Sequence, residues 1–167
     1  MKKETEDCLV IIDVQQGFMA NDATRALPER IARMVKTRQF KHIVGTCFVN
    51  DGGSPFVTEM GWHGCMSEEE RKVMPQVAGL CEQVFCKPAY TCFTQTFEGW
   101  LASRDIGRLY FCGIDTDCCV LKSAADAFER GFKTDVLKDY CASSGGDMSH
   151  MAGLYVLKRL IGKDHIL

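Results

Sequence analysis

Apolar residues follow two alternating rhythms along this chain. Five short runs, at 8–13 (CLVIID), 42–49 (HIVGTCFV), 83–87 (QVFCK), 108–114 (RLYFCGI) and 133–138 (KTDVLK), have the length and density of strands. Three of them are apolar on both faces, as a parallel sheet covered by helices requires. Between the runs the spacing becomes helical. Pro28 opens a segment with Ile31, Met34 and Val35 at helical intervals, running to about Phe40, with proline in a favoured first-turn position. Thr94 precedes a shorter helix carrying Phe97, Trp100 and Leu101. Thr116 is placed to cap a helix that reaches Arg130 and ends at Gly131. Asp147 or Ser149 can cap a last helix through Leu154, Leu157, Leu160 and Ile161, stopped by Gly162. Strand followed by helix, repeated, predicts a three-layer α/β/α domain with a mostly parallel sheet of five or six strands and right-handed crossovers.

One stretch breaks the rhythm. Residues 50–66 (NDGGSPFVTEMGWHGCM) hold four glycines, a proline, Phe56, Trp62 and His63, and unstructured loops of that length are uncommon and tend to be functional or disordered. Ser67 and Glu70 then form a capping-box pattern for a short helix that Pro75 would end. No repeat, low-complexity tract or linker interrupts the chain, so residues 1–167 are expected to form a single domain.

Composition narrows the function classes. A chain of 167 residues is expected to bury about 70% of the surface its unfolded form exposes. With 20 basic and 22 acidic side chains, the net charge of −2 gives no field to concentrate on a polyanion, so a small molecule is the expected partner rather than nucleic acid or a membrane surface. The N-terminus, Met-Lys-Lys-Glu-Thr-Glu-Asp, lacks the pattern of a signal peptide, and the cytoplasm is the expected compartment. Ten cysteines are too sparse for a disulfide scaffold, no Cys-x-x-Cys occurs, and the four histidines are scattered, so neither a disulfide framework nor zinc explains the set. Most are expected to be small buried hydrophobes.

Chemistry in an open parallel sheet gathers beyond the carboxyl ends of the strands. Asp13 ends the first strand, Lys87 ends the third, and Thr116-Asp117-Cys118-Cys119 follows the fourth, which brings an acid, an amine and a thiol to one edge. The adjacent cysteines separate by helical position. Leu121, Ala124, Ala125 and Phe128 define a sheet-facing stripe in phase with Cys118, whereas Cys119 heads the polar line Cys119, Ser123, Asp126, Arg130. Burial as a core hydrophobe therefore accounts for Cys118 better than for Cys119. A thiol in a first helical turn also feels the positive end of the macrodipole, which lowers its pKa, so Cys119 is the candidate nucleophile.

Three segments together resemble the isochorismatase-like cysteine hydrolase superfamily, which includes nicotinamidases, carbamoyl amidohydrolases and isochorismatases. They are Ile12-Asp13-Val14-Gln15-Gln16-Gly17-Phe18, Lys87-Pro88-Ala89-Tyr90-Thr91-Cys92-Phe93 and Gly113-Ile114-Asp115-Thr116-Asp117-Cys118-Cys119-Val120. With Asp147-x-x-His150 opening the last helix, the resemblance extends over nearly the whole chain. It implies a Rossmann-like fold and a catalytic triad of Asp13, Lys87 and Cys119, with Asp13 as the proton carrier, Lys87 holding it ionised, and a thioester on Cys119. It further implies an oxyanion hole at the backbone N–H groups of Asp115 and Cys119, and a cis peptide before Asp115. Phe18, Trp62, Tyr90 and Phe93 are the expected substrate-binding walls.

Departures from the family pattern set limits. Nicotinamidases of this family hold a metal with an Asp-x-His pair in the loop after the second strand, but Asp51 here is followed by Gly52 and Gly53, leaving His63. No metal or other cofactor is expected. Cys92 replaces a small residue of the second motif, and Gly17 stands where an acid often precedes Phe18. The expected activity is metal-independent hydrolysis of a C–N bond in a small amide or carbamoyl compound. The alternatives are vinyl-ether hydrolysis of the isochorismatase type, or a catalytically silent small-ligand or thiol-redox protein. The family likeness also implies a homo-oligomer, a dimer or larger.

Overall fold

The computed structural model describes residues 5–167; residues 1–4, part of the N-terminal stretch considered above, lie outside the described residues. Five strands form one sheet: β1 (Glu6–Ile12), β2 (His42–Phe48), β3 (Gln83–Lys87), β4 (Ile106–Ile114) and β5 (Lys133–Ala142), in the order β3-β2-β1-β4-β5. All four pairings are parallel. Helices α1 (Asp22–Thr37), α5 (Gln95–Ser103), α6 (Leu121–Glu129) and α7 (Asp147–Leu160) flank the sheet, and three single turns, α2 (Pro55–Thr58), α3 (Glu68–Arg71) and α4 (Pro75–Ala78), lie between β2 and β3. The chain steps outward from β1 to β2 to β3, then returns to place β4 on the other side of β1. That reversal is the switch point at which such sheets open a crevice beyond their carboxyl ends.

Central β1 shows why the core forms here. Cys8 to Ile12 are all at 1% exposure or less, matching a strand covered on both faces. Gly113 permits the tight approach of β4, because a Cβ there would sit 2.1 Å from the Ile12 carbonyl oxygen, at a φ of +120°. Beside it β4 shifts register against β5 between Phe111 and Gly113.

Three element boundaries differ from expectation, each for a local reason. Helix α1 begins at Asp22, six residues before Pro28, because Asn21 and Thr24 form a capping box: the Asn21 side chain accepts from the Thr24 N–H at 3.0 Å and the Thr24 hydroxyl accepts from the Asn21 N–H at 3.1 Å. Pro28 lies buried inside the helix. Pro75 does not end the Ser67-capped turn but opens α4 as its first residue, a position where its missing N–H costs nothing. The segment after β4 is not α-helical from Thr116; residues Thr116–Val120 form a π turn in which the Val120 N–H reaches back to the Asp115 carbonyl at 3.0 Å, and α6 follows.

The expected buried stripe of α6 is also displaced. Val120, Ser123, Ala124, Asp126 and Ala127 are buried, while Leu121 and Ala125 are half-buried and Phe128 is 48% exposed. The polar line headed by Cys119 therefore faces inward. Hydrophobicity misjudged it because the polar side chains on that face are satisfied by a neighbouring loop, described below.

Candidate active site

Asp13 follows β1 in a left-handed conformation, φ +47°, which an aspartate tolerates better than most residues but which still carries strain of about 1–2 kcal/mol. The turn is held by Thr46 on β2. Its hydroxyl accepts from the Asp13 N–H at 3.1 Å and donates to Asp13 Oδ1 at 2.6 Å. Oδ2 pairs with Lys87 Nζ at 2.7 Å, and no hydrogen bond in good geometry otherwise reaches it. Both partners are out of water, Asp13 at 0% and Lys87 at 1% exposure. Lys87 Nζ also donates to the carbonyls of Ala89 (2.8 Å) and Tyr90 (3.2 Å), approaches Cys119 Sγ at 3.5 Å, and lies 5.2 Å from the centre of the Phe48 ring. An ammonium surrounded this way stays charged. Burial alone would pull its pKa down, but the Asp13 carboxylate and the Cys119 sulfur outweigh it and the net direction is upward.

Cys119 sits in the π turn beside this ion pair, 5% exposed. Its pKa is pushed well above the ordinary thiol value, first by burial and then by the Asp13 carboxylate, with Lys87 opposing. The sequence-based expectation of a thiol pKa lowered by a helix N-terminus is thus reversed, because desolvation of the buried sulfur dominates. Cys118, expected to be the buried partner, is half-buried and lines the cavity.

The turn is anchored from three sides. Asp115 accepts from the Ser144 N–H (2.6 Å) and hydroxyl (2.7 Å), Asp117 from the Ser143 hydroxyl (2.6 Å), and Thr116 shares a 2.7 Å hydrogen bond with His150 Nδ1. Burial raises the Asp115 pKa against the lowering effect of Ser144. The peptide between Ile114 and Asp115 is cis. Gly153 of α7 lies against the turn so closely that a Cβ would come within 2.7 Å of the Asp117 backbone.

In front of Cys119 opens a cavity of about 350 Å³, lined by Gly17, Phe18, Ala20, Phe48, Phe56, Met60, Trp62, Tyr90, Asp115, Cys118, Cys119 and Ser144. Phe18 stacks on Trp62 with ring centres 6.0 Å apart, and Phe56 meets both Phe48 and Tyr90 edge-on at 5.0 Å. The 50–66 loop carries two of these rings and is firmly tied. Asn50 Nδ2 donates to the carbonyls of Trp62 (3.2 Å) and Gly64 (3.0 Å), and Arg71 donates to those of Cys65 (3.0 Å) and Asn50 (2.7 Å).

Of the residues expected at the site, Asp13, Lys87 and Cys119 come together, and Phe18, Trp62, Tyr90 and Asp115 line the cavity. Phe93 does not. It packs against Phe97 and Phe132, 5.6 and 6.0 Å between ring centres, under the Arg130 guanidinium, because the extended segment after Pro88 turns its side chain toward α5 and away from the cavity. Phe48, Thr46 and Ser144 were missed. Thr46 and Phe48 stand at the carboxyl end of β2, where the edge rule that selected Asp13 and Lys87 applies equally. Residues Asp51 and His63 do not fit the metal position of the family's nicotinamidases: Asp51 accepts from the Gly53 N–H at 2.8 Å, His63 is exposed, and no group of three metal-ligating side chains occurs among the described residues.

The isochorismatase domain family model matches residues 7–163. The chain is 29% identical over 163 aligned positions to a nicotinamidase/pyrazinamidase of Mycobacterium tuberculosis, covering 83% of this chain and 88% of that protein. It is 24% identical over 194 positions to a ureidoacrylate amidohydrolase of Azorhizobium caulinodans, covering 94% and 85%. Among solved structures, a nicotinamidase/pyrazinamidase from Bacillus subtilis superposes with a TM-score of 0.78 at 22% identity over 94% of this chain and 97% of that one. An N-carbamoylsarcosine amidase from Thermoplasma acidophilum gives 0.77 at 21% over 91% and 92%.

Proposed function

The chain belongs to the isochorismatase family of hydrolases, and from that premise we propose that it cleaves the C–N bond of a small uncharged amide by nucleophilic attack of Cys119. The observation that carries this reading is the convergence of a thiol that lines the cavity with a carboxylate and an ammonium buried behind it. The direction in which burial moves the thiol pKa supports one order of events. Cys119 rests as S–H, and its proton passes to Asp13 Oδ2 as sulfur bonds to the carbonyl carbon, so no free thiolate need persist. Lys87 Nζ, 2.7 Å from the same oxygen, holds the Asp13 carboxyl in place beside the sulfur. Collapse of the tetrahedral adduct breaks the C–N bond, and the departing amine takes the proton from Asp13. Water then gives a proton to Asp13 as its oxygen bonds to the thioester carbon, and the C–S bond breaks as Asp13 passes that proton to sulfur, restoring thiol and carboxylate and releasing an acid. Backbone N–H groups of Asp115 and Cys119 are the donors assigned to the developing oxyanion.

The lining of the cavity supports an uncharged substrate. It is aromatic and apolar, it includes Asp115, and none of its residues is basic. Ureidoacrylate bears a carboxylate that would meet no cation there, whereas nicotinamide and pyrazinamide are neutral planar amides. Ammonia release should therefore be measured on matched amides with and without a carboxylate. Turnover of the neutral members, abolished by Cys119→Ala, is expected. Preference for the anionic members, or turnover unaffected by Cys119→Ala, would overturn the reading.

A further inference from the structure

The inward polar face of α6 has a use beyond packing. Ser123 is fully buried one helical turn beyond Cys119, and both of its hydrogen bonds leave the helix. Its oxygen accepts from the Cys92 N–H at 3.0 Å, and its hydroxyl donates to the Tyr90 carbonyl at 3.4 Å. That carbonyl is one of the two that receive Lys87 Nζ. One turn further, the buried Asp126 carboxylate accepts from Lys122; burial would raise its pKa, but Lys122 and, on the facing segment, Thr91 bring it down. Beyond it the Arg130 guanidinium covers the Phe93 ring at 4.4 Å. Ser123 and Asp126 on α6, and Arg130 at its end, thus face residues 90–93, the segment whose Tyr90 carbonyl receives the ammonium.

We infer that Ser123, backed by Asp126, is a positioning residue that sets the Lys87 ammonium against Cys119 and Asp13 by pinning residues 90–92 to α6. This rests on the proposed role of Cys119 and Lys87. A serine hydroxyl that only filled space would bond back to the carbonyl one turn earlier in its own helix, as buried mid-helix serines commonly do. Here it bridges two backbone groups of another segment, and the Tyr90 carbonyl it shares with Lys87 makes the link to the site direct. Without it the Tyr90 carbonyl keeps only the Lys87 ammonium itself as a side-chain partner among the bonds described, and that ammonium gains freedom to move away from sulfur. Displacements near 1 Å in such a constellation cost up to about a hundredfold in rate.

The test uses the full chain and two readouts. In Ser123→Ala, kcat on a neutral amide should fall about tenfold or more with KM within about twofold. The rate at which iodoacetamide alkylates Cys119, followed by peptide mass spectrometry against pH, should shift to higher pH because the cation that favours the thiolate is less well held. Ser123→Thr, which restores a hydroxyl, should recover both. An alkylation profile identical to wild type overturns the inference whether or not activity falls, since a structural defect alone would leave that profile unmoved. If Ser123→Ala does not fold, Thr91→Val removes the Asp126 partner on the same segment and should move the profile in the same direction; an unmoved profile there overturns it equally. Absence of amide hydrolysis by the wild type would sink the proposed function, yet the alkylation comparison would still decide the role of Ser123.

Discussion

The ion pair between Asp13 and Lys87 offers a quantitative test of how the site is held together. Removing the ammonium by Lys87→Met keeps most of the side-chain volume but leaves a carboxylate at 0% exposure with a single hydroxyl partner, Thr46 at 2.6 Å. It also takes a charged donor from the carbonyls of Ala89 and Tyr90. Breaking a buried pair from one side costs about 3–5 kcal/mol, because the surviving charge is stranded away from water. That is a large share of the roughly 5–15 kcal/mol that stabilises a domain, and for a chain of this size it corresponds to a fall in Tm of about 6–20 °C. Asp13→Asn combined with Lys87→Met leaves no stranded charge, so the double variant should be more stable than Lys87→Met alone, with a coupling of about 2 kcal/mol. Urea unfolding at pH 7.5 with a common m-value measures all four corners of the cycle. A cost below about 1 kcal/mol for Lys87→Met, or simple additivity of the two substitutions, would refute the claim that the pair is buried and mutually dependent.

Further expectations concern pH and backbone fit. Cys8, Cys92, Cys112 and Cys141 are at 4% exposure or less, and burial is the leading cause that raises each thiol, to about 12 for Cys92 and Cys141, from an ordinary value of 9.0. A raised folded pKa contributes stability that is complete below pH 9 and is lost from there up to about pH 12, because the unfolded thiols ionise while the native ones do not. At pH 10 each costs about 1.4 kcal/mol, or about 6 kcal/mol for the four, so Tm measured in reductant should drop steeply between pH 9 and 10; a flat Tm across that interval would contradict the burial. Gly153→Ala drives a Cβ to 2.7 Å from the Asp117 backbone and should destabilise by about 1–3 kcal/mol and lower kcat, while Gly99→Ala, with nothing within 4 Å on α5, should stabilise by up to about 1 kcal/mol. Equal effects of the two in urea unfolding would show that α7 does not press on the π turn as described.

Much of the fold was legible because β1 carries an unbroken apolar run and β2 and β4 are apolar on both faces, as parallel strands covered by helices are. The edge rule then selected Asp13 and Lys87 from strand ends alone. It failed to reach Thr46 and Phe48 only because no charge drew attention to β2. Two features were not legible. The π turn changes hydrogen-bond reach by one residue, and nothing in Thr116-Asp117-Cys118-Cys119-Val120 announces it; it is set by how Gly153 and the Ser143-Ser144 pair hold the turn. The inward face of α6 was misread because Ser123 and Asp126 look solvent-facing until their partners on residues 90–92 are known. Phe93 was misplaced for the same reason: an aromatic two residues from a site can point to either side of an extended segment, and here the ring cluster around Phe97 claims it.

The central claim is that the sulfur of Cys119 becomes covalently acylated during amide hydrolysis. Turnover mixtures quenched in acid and analysed by intact-protein and peptide mass spectrometry test it directly. The expected result is a mass increase equal to the acyl group on Cys119 alone, absent from Cys119→Ala together with the activity, and accumulating in any variant that slows hydrolysis of the thioester. An adduct on the neighbouring Cys118, which also lines the cavity, or undiminished turnover by Cys119→Ala, would contradict the account.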